Sequence, residues 1–191
     1  MALSFNPGIF RAITLAFGLV MLLGLLLARA LPVQAAGVVT DCSNDAQLRS
    51  MLAGGGAVTF NCNGNGSPAT IVVSPSIVIT TGLTTLDGGN KVTLSGAQHN
   101  RIFYVDAGVF GSPLGFTLRH IVLANGDAGT GYGGCLAMGF FATVLLDDVT
   151  VQHCRTENNA QGGGIYNALG NLTLVSSRVL TNSAGAGGGI S

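Results

Sequence analysis

Asp147-Asp148 is the one adjacent acidic pair in this chain. Glycoside hydrolysis uses two carboxylates, one protonating the leaving oxygen and one activating water. In the inverting form both must face one groove wide enough to admit that water. Arg119-His120 and Val175-Ser176 flank the pair at equal distances, one before it and one after. A chain that coils with this period places Arg119 and His120 one coil below the two carboxylates. Such a patch suits a sugar or a Ca²⁺ ion. Lyase chemistry on an acidic polysaccharide instead needs an arginine or lysine as base, which makes Arg119 and Arg155 candidates, but no cluster of Asp ligands accompanies them. The plainer reading is preferred: the pair lies between "VLL" and "VTV", and two charges between short strands mark a solvated corner. Asp147, Asp148, Arg119 and His120 are therefore weak catalytic candidates in a chain expected to be non-catalytic.

Other chemistry is sparse. His153 beside Cys154 reads as a surface residue, and no cysteine pair has zinc spacing, so neither a metal nor another cofactor is expected. Asp87-Gly88-Gly89-Asn90 reads as a turn with an Asx cap. "GTGYGG" at 129–134 has no strand-to-helix context for a nucleotide, and no P-loop, G-x-S-x-G or HExxH motif occurs. Asn171-Leu172-Thr173 fits the N-glycosylation acceptor pattern, with Leu172 at an inward position. Phe103, Phe116, Phe140, Phe141 and Tyr166 read as core or corner fillers rather than a sugar-binding platform.

The elements that must position these residues form a repeat. Phe116-Thr117-Leu118, Val144-Leu145-Leu146 and Leu172-Thr173-Leu174 recur at one constant spacing, and each is followed five positions on by an apolar residue: Leu123, Val151 and Val179. Ile121, Val149 and Ser177 align between them. Apolar positions alternate within each strand, so one set of side chains points inward and stacks on its equivalents. Glycine corners separate the strands: Gly133-Gly134, Gly162-Gly163-Gly164 and Gly187-Gly188-Gly189. One such coil cannot bury its own apolar face, whereas a stack can. The fold expected is all-β: a right-handed parallel β-helix, or β-solenoid, over residues 57–191, with about five coils and roughly 25 Å of length. A β-sandwich also uses short strands, but the constant spacing and the glycine corners favour the solenoid. Earlier strands are expected at 57–60, 70–73, 76–80, 91–95 and 101–105. Asn125, Asn167 and Asn182 lie near corners and suit stacked hydrogen-bonded ladders.

"DAQLRSMLA" (45–53) is the one helical stretch, with Leu48, Met51 and Leu52 on one face. Asp41, Ser43 or Asn44 is expected to cap its start, and the glycine run from Gly54 its end. It belongs to an N-terminal cap, residues 36–62, that covers the open end of the column.

Ahead of this, Arg11, the apolar run Ala12–Ala28, Pro32 and the small residues Val33 and Ala35 form the pattern of a secretory signal peptide, residues 1–35. An uncleaved membrane anchor is the alternative. The chain from 36 to 191 carries six Lys/Arg and eight Asp/Glu, a net charge of −2, with no basic cluster to suit nucleic acid. Cys42, Cys62, Cys135 and Cys154 all lie in this exported part. An even count there favours disulfides. Four cysteines allow three connectivities, and Cys42 with Cys62 and Cys135 with Cys154 is preferred because each pair brackets one unit.

Gly162-Gly163-Gly164-Ile165 and Gly187-Gly188-Gly189-Ile190 resemble the glycine-glycine-small-aliphatic repeats of polymorphic outer membrane proteins, which are surface-displayed parallel β-helices. Val179-Leu180-Thr181-Asn182 is similar to their second motif, and Val151-Gln152-His153-Cys154 keeps its frame with Cys in the Asn place. Gly stands where that family has Ala, and no Phe begins the second motif. The resemblance covers about residues 131–191, with Gly133, Gly134, Gly163, Gly164, Gly188 and Gly189 as its repeat glycines. The remainder, including Thr85-Leu86-Asp87-Gly88-Gly89, is similar to the wider pectin-lyase-like superfamily. The resemblance implies a secreted, cell-surface or outer-membrane module, adhesin-like or structural, with a surface glycan or protein as partner. The alternative it leaves is a lyase or glycoside hydrolase. Membrane contact is expected only through the signal segment or an anchor beyond Ser191. A coil that opens at Gly187 without closing reads as part of a longer chain, or as an end covered by another chain.

Overall fold

The computed structural model describes residues 37–191 apart from 65, 81, 109–113 and 158. The signal segment expected over 1–35 lies outside these residues. The described chain is all-β except for one short helix, and its strands stack as a parallel β-solenoid of about four turns. The elements are β1 (Gly37–Val39), α1 (Ala46–Ala53), β2 (Gly56–Phe60), β3 (Ala69–Val72), β4 (Ile77–Ile79), β5 (Gly82–Ser95), β6 (Phe103–Val105), β7 (Leu114–Ala124), β8 (Leu136–Met138), β9 (Thr143–Gln152), β10 (Ile165–Asn167), β11 (Asn171–Val175) and β12 (Arg178–Leu180). One sheet runs β1-β2-β5-β7-β9-β11, with β3 on β5 and β12 on β9. The other runs β4-β6-β8-β10. Every pairing is parallel. The turn count is one short of the five expected from length, and a 3-10 turn at Cys62–Gly64 follows β2.

The period of the repeat sets the register. Phe116 pairs with Val144 and Val144 with Leu172, while Leu123 pairs with Val151 and Val151 with Val179. The inward positions build columns of like side chains. Val58, Leu86, Leu118 and Leu146 follow one another in one column. Ile71, Leu94, Leu123 and Val151 form a second, and Phe103, Leu136 and Ile165 form part of a third. All eleven are fully buried. Each buried leucine or isoleucine contributes about 1.5–3 kcal/mol over leaving it in water, so the columns supply most of the cohesion.

The long strands bend at residues in the left-handed region. Asn90, His120, Asp148 and Ser176 occupy equivalent corners with φ of 60°, 48°, 54° and 49°. Asn125, His153 and Thr181 form a second such column with φ of 53°, 54° and 50°. Non-glycine residues are uncommon there. The corner at Asp87–Asn90 does contain the expected Asx turn, with the Gly89 N–H donating to Asp87 Oδ1 at 2.9 Å. It lies inside one continuous strand, β5, and appears as a shift in the β5–β7 register.

The glycine corners work in two ways. Gly162 has φ +67°, and a Cβ there would lie 2.3 Å from the Ile165 carbonyl oxygen. Gly163 packs so closely on the next coil that a Cβ would lie 2.3 Å from the Ser183 carbonyl oxygen. The polypeptide turns at one glycine and lets the next rung approach at its neighbour.

α1 is built from good helix formers and no β-branched residue. Leu48 and Leu52 are buried in the common core, and Met51 packs against it. The helix lies against β1, β2 and β4, so a strand precedes it that the sequence pattern did not show. Its N-cap is Asp45, not one of the three residues expected, and the Asp45 side chain makes no capping bond. That carboxylate is turned to Arg49 at 2.6 Å and to the Ser74 N–H at 2.9 Å. Asn44 Oδ1 instead accepts from the Ala46 N–H at 2.9 Å. Both disulfides have the local connectivity, Cys42–Cys62 and Cys135–Cys154, each with Cα atoms 5.5 Å apart, and no described cysteine is free.

Candidate functional site

The register sets the candidate charges against residues of the neighbouring rungs. Arg119 and Asp147 are direct partners on adjacent rungs, β7 and β9. Arg119 donates from Nε and Nη2 to Asp147 Oδ2 at 3.0 and 2.8 Å. His120 and Asp148 follow at the left-handed corner. His120 Nδ1 lies 3.0 Å from Asp87 Oδ1 on the preceding rung. Asp148 is exposed and lines a shallow groove of about 150 Å³ with Asn90, His120, Thr150 and Arg178. Of the two adjacent carboxylates, Asp148 lines the groove, while Asp147 is taken up by Arg119. The bend at φ 54° separates their roles.

The second arginine considered as a base is also engaged. Arg155 donates from Nε to Asp127 Oδ2 at 2.7 Å, and the Gly129 N–H donates to Asp127 Oδ1 at 2.7 Å. Asp127 is buried, at 7% exposure. Like Arg119–Asp147, this pair links residues 28 apart on neighbouring coils, so each bond locks one rung over the next. No group of His, Cys, Asp or Glu among the described residues is arranged to hold a metal ion.

The asparagines do not form a ladder. Asn125 occupies one corner with φ 53°. Asn167 bonds the backbone of Gly170 within its own loop. Asn182 reaches down one rung, accepting from the Cys154 N–H at 2.8 Å and donating to the Val151 carbonyl at 3.0 Å. Asn182 follows Thr181 and so stands one residue past the column of Asn125, while Asn167 belongs to another loop, so the three amides do not align.

The aromatics divide three ways. Phe103 and Phe116 are buried and meet edge to face at 5.0 Å, as core fillers should. Phe140 and Phe141 sit at a corner but are exposed, at 53% and 46%. Tyr166 is half-buried beside a glycine corner, stacked on Tyr132 with ring centroids 4.6 Å apart and planes inclined by 22°. Tyr132 precedes the glycine corner of one coil and Tyr166 follows the glycine corner of the next. The corners stack, with the Gly134 N–H donating to the Gly162 carbonyl at 3.1 Å, and this brings the rings together. The two tyrosines stand further apart in sequence than one repeat, which hides the pair from a search at the repeat spacing. The useful signal was that each tyrosine flanks a glycine run.

Charged residues surround this aromatic surface. Arg101 donates from Nε to the carbonyls of Tyr132 and Gly133, both at 3.0 Å, and its guanidinium lies 5.6 Å from the centre of the Tyr104 ring. Burial pushes the Arg101 pKa down, and nearby Tyr104 partly opposes that. Tyr104 donates its hydroxyl to Asp106 Oδ2 at 2.7 Å, and this bond, more than burial, raises its pKa. Tyr132 also lines an open cleft of about 260 Å³ with Thr130, Glu157, Asn159 and Ala160.

The two disulfides fit an extracellular or secreted protein. No helix among the described residues is long and apolar enough to cross a membrane. Comparison with protein-family models, with curated proteins and with solved structures finds no match to this chain.

Proposed function

We propose that this chain is a non-catalytic β-solenoid module that acts outside the cell, at its surface or released from it, in an adhesin-like or structural role. The observation that carries this reading is how the carboxylates of the stacked coils are used. Asp147 holds Arg119, Asp127 holds Arg155 and the Gly129 N–H, and Asp87 holds the Gly89 N–H beside His120. These oxygens pin neighbouring rungs in register. A stack so fixed presents long, rigid outer faces with few free charges, which suits contact with an extended glycan or a protein surface. The glycine runs at 162–164 and 187–189 support a place among surface-displayed parallel β-helices such as the polymorphic outer membrane proteins and the pectin-lyase-like proteins, by pattern alone.

A second reading is a polysaccharide lyase or glycoside hydrolase, favoured by the groove where Asp148, His120 and Arg178 lie together. One experiment separates the two. The secreted protein is incubated with neutral and acidic polysaccharides while product ends are measured, and in parallel its retention on glycan-coated and cell surfaces is scored. Retention without turnover is expected. Turnover that disappears in Asp148→Asn would establish the enzyme instead.

A further inference from the structure

We infer that the cleft beside Tyr132 is a binding subsite for an uncharged pyranose ring of a surface glycan. This deepens the reading of the chain as a surface-acting module and rests on it. Sugar rings carry a face of C–H groups and a rim of hydroxyls. A protein recognises them by offering an aromatic ring to the face and paired polar groups to the rim. The cleft supplies both, with Tyr132 as one wall and Thr130, Glu157 and Asn159 around it.

Tyr132 is set for this role before any ligand arrives. The residue is 48% exposed, yet its ring is stacked on Tyr166, and its carbonyl is held by Arg101. A ring already fixed loses little rotamer freedom on binding. The rim groups are equally suitable. A carboxylate accepts from two neighbouring hydroxyls at once, an amide both donates and accepts, and a threonine hydroxyl does either. Glu157 is exposed, and its backbone N–H is anchored to the Gly129 carbonyl at 2.6 Å.

Charge decides the class of sugar. Glu157 is the charged side chain lining the cleft. Arg155 is committed to Asp127, and Arg101 to two carbonyls. A uronate would therefore meet a carboxylate with no cation among the lining residues to offset it, whereas a neutral hexose would not.

The test is affinity electrophoresis of the whole secreted chain through gels containing galactomannan, hydroxyethyl cellulose or glycogen, with polygalacturonate as the acidic control. Retardation by at least one neutral polymer is expected. Tyr132→Ala should weaken it about tenfold or more, the scale of one lost aromatic contact with its buried area. Tyr132→Phe keeps the ring and should retain binding. Glu157→Gln and Asn159→Ala, which change exposed side chains, should each weaken binding while leaving the melting temperature in place. They carry the test if Tyr132→Ala fails to fold. Retardation by polygalacturonate alone, by none of the polymers, or equally in folded Tyr132→Ala would overturn the inference. A chain that is retained on cell surfaces but by no neutral polymer overturns this subsite alone. A chain that degrades the polymers overturns the reading beneath it.

Discussion

Replacing Leu118 by alanine should cost far more than the same change at Leu174, although the two occupy the same position in the repeat. Leu118 pairs with Leu86 on one side and Leu146 on the other, and all three are fully buried. The rungs above and below are held by backbone ladders, so the cavity cannot close by collapse. Loss of the transfer energy and an unrelaxed cavity together put the cost at about 4 kcal/mol, within the upper range for buried leucine. Leu174 pairs with Leu146 only on one side and is 37% exposed. Its truncation leaves a surface notch rather than a cavity, costing about 1 kcal/mol. For a chain of this size each kcal/mol moves the midpoint by about 2–4 °C. Leu118→Ala should therefore melt about 8–16 °C lower than the parent, and Leu174→Ala about 2–4 °C lower. Circular dichroism melts of the purified protein, with the mean residue ellipticity before melting as a fold check, read both. Equal shifts would refute the argument, because they would mean that position in the repeat, and not burial by the next rung, sets the cost.

Three further outcomes follow from the same geometry. Cys135→Ser combined with Cys154→Ser opens a link spanning 19 residues and should cost about 3 kcal/mol in thermal unfolding; non-reducing peptide maps of the parent should show Cys42 with Cys62 and Cys135 with Cys154, and any crossed pair contradicts the fold. Asp127→Ala removes a buried carboxylate, leaving the part-buried Gly129 N–H without its acceptor and the half-exposed Arg155 without its partner, and should cost about 1–3 kcal/mol, whereas Arg119→Ala removes a pair whose carboxylate, Asp147, is more exposed and should change stability by about 1 kcal/mol or less in denaturant titrations; the reverse order would show that burial of the carboxylate does not rank these pairs. Tyr104 holds its proton more tightly folded than unfolded because of the bond to Asp106. Its stabilising contribution is therefore present below the ordinary tyrosine range and is lost as pH rises through the raised value. Melting temperatures followed into the alkaline range should fall less steeply in Tyr104→Phe than in the parent.

The sequence by itself determined the stack. A parallel solenoid has a coil perimeter that hardly changes, so inward side chains recur at one spacing, and Phe116, Val144 and Leu172 read as neighbours because that spacing is the ladder. The same arithmetic placed Arg119 under Asp147. The local disulfides followed from each cysteine pair bracketing one unit, and the helix from the spacing of Leu48, Met51 and Leu52. The corners were less legible. Gly162 advertises a left-handed turn by its type, whereas His120 and Asp148 belong to types that only tolerate one more readily than most, and Ser176 has no such preference; all three adopt it through the tertiary demand that the strand bend there. That bend divides Asp147, spent on a neighbouring rung, from Asp148, open to a groove. Tyr132 and Tyr166 meet only because two glycine corners stack while the residues flank them on opposite sides. Their contact belongs to neither the strand period nor the coil period, and only the folded backbone could bring it about.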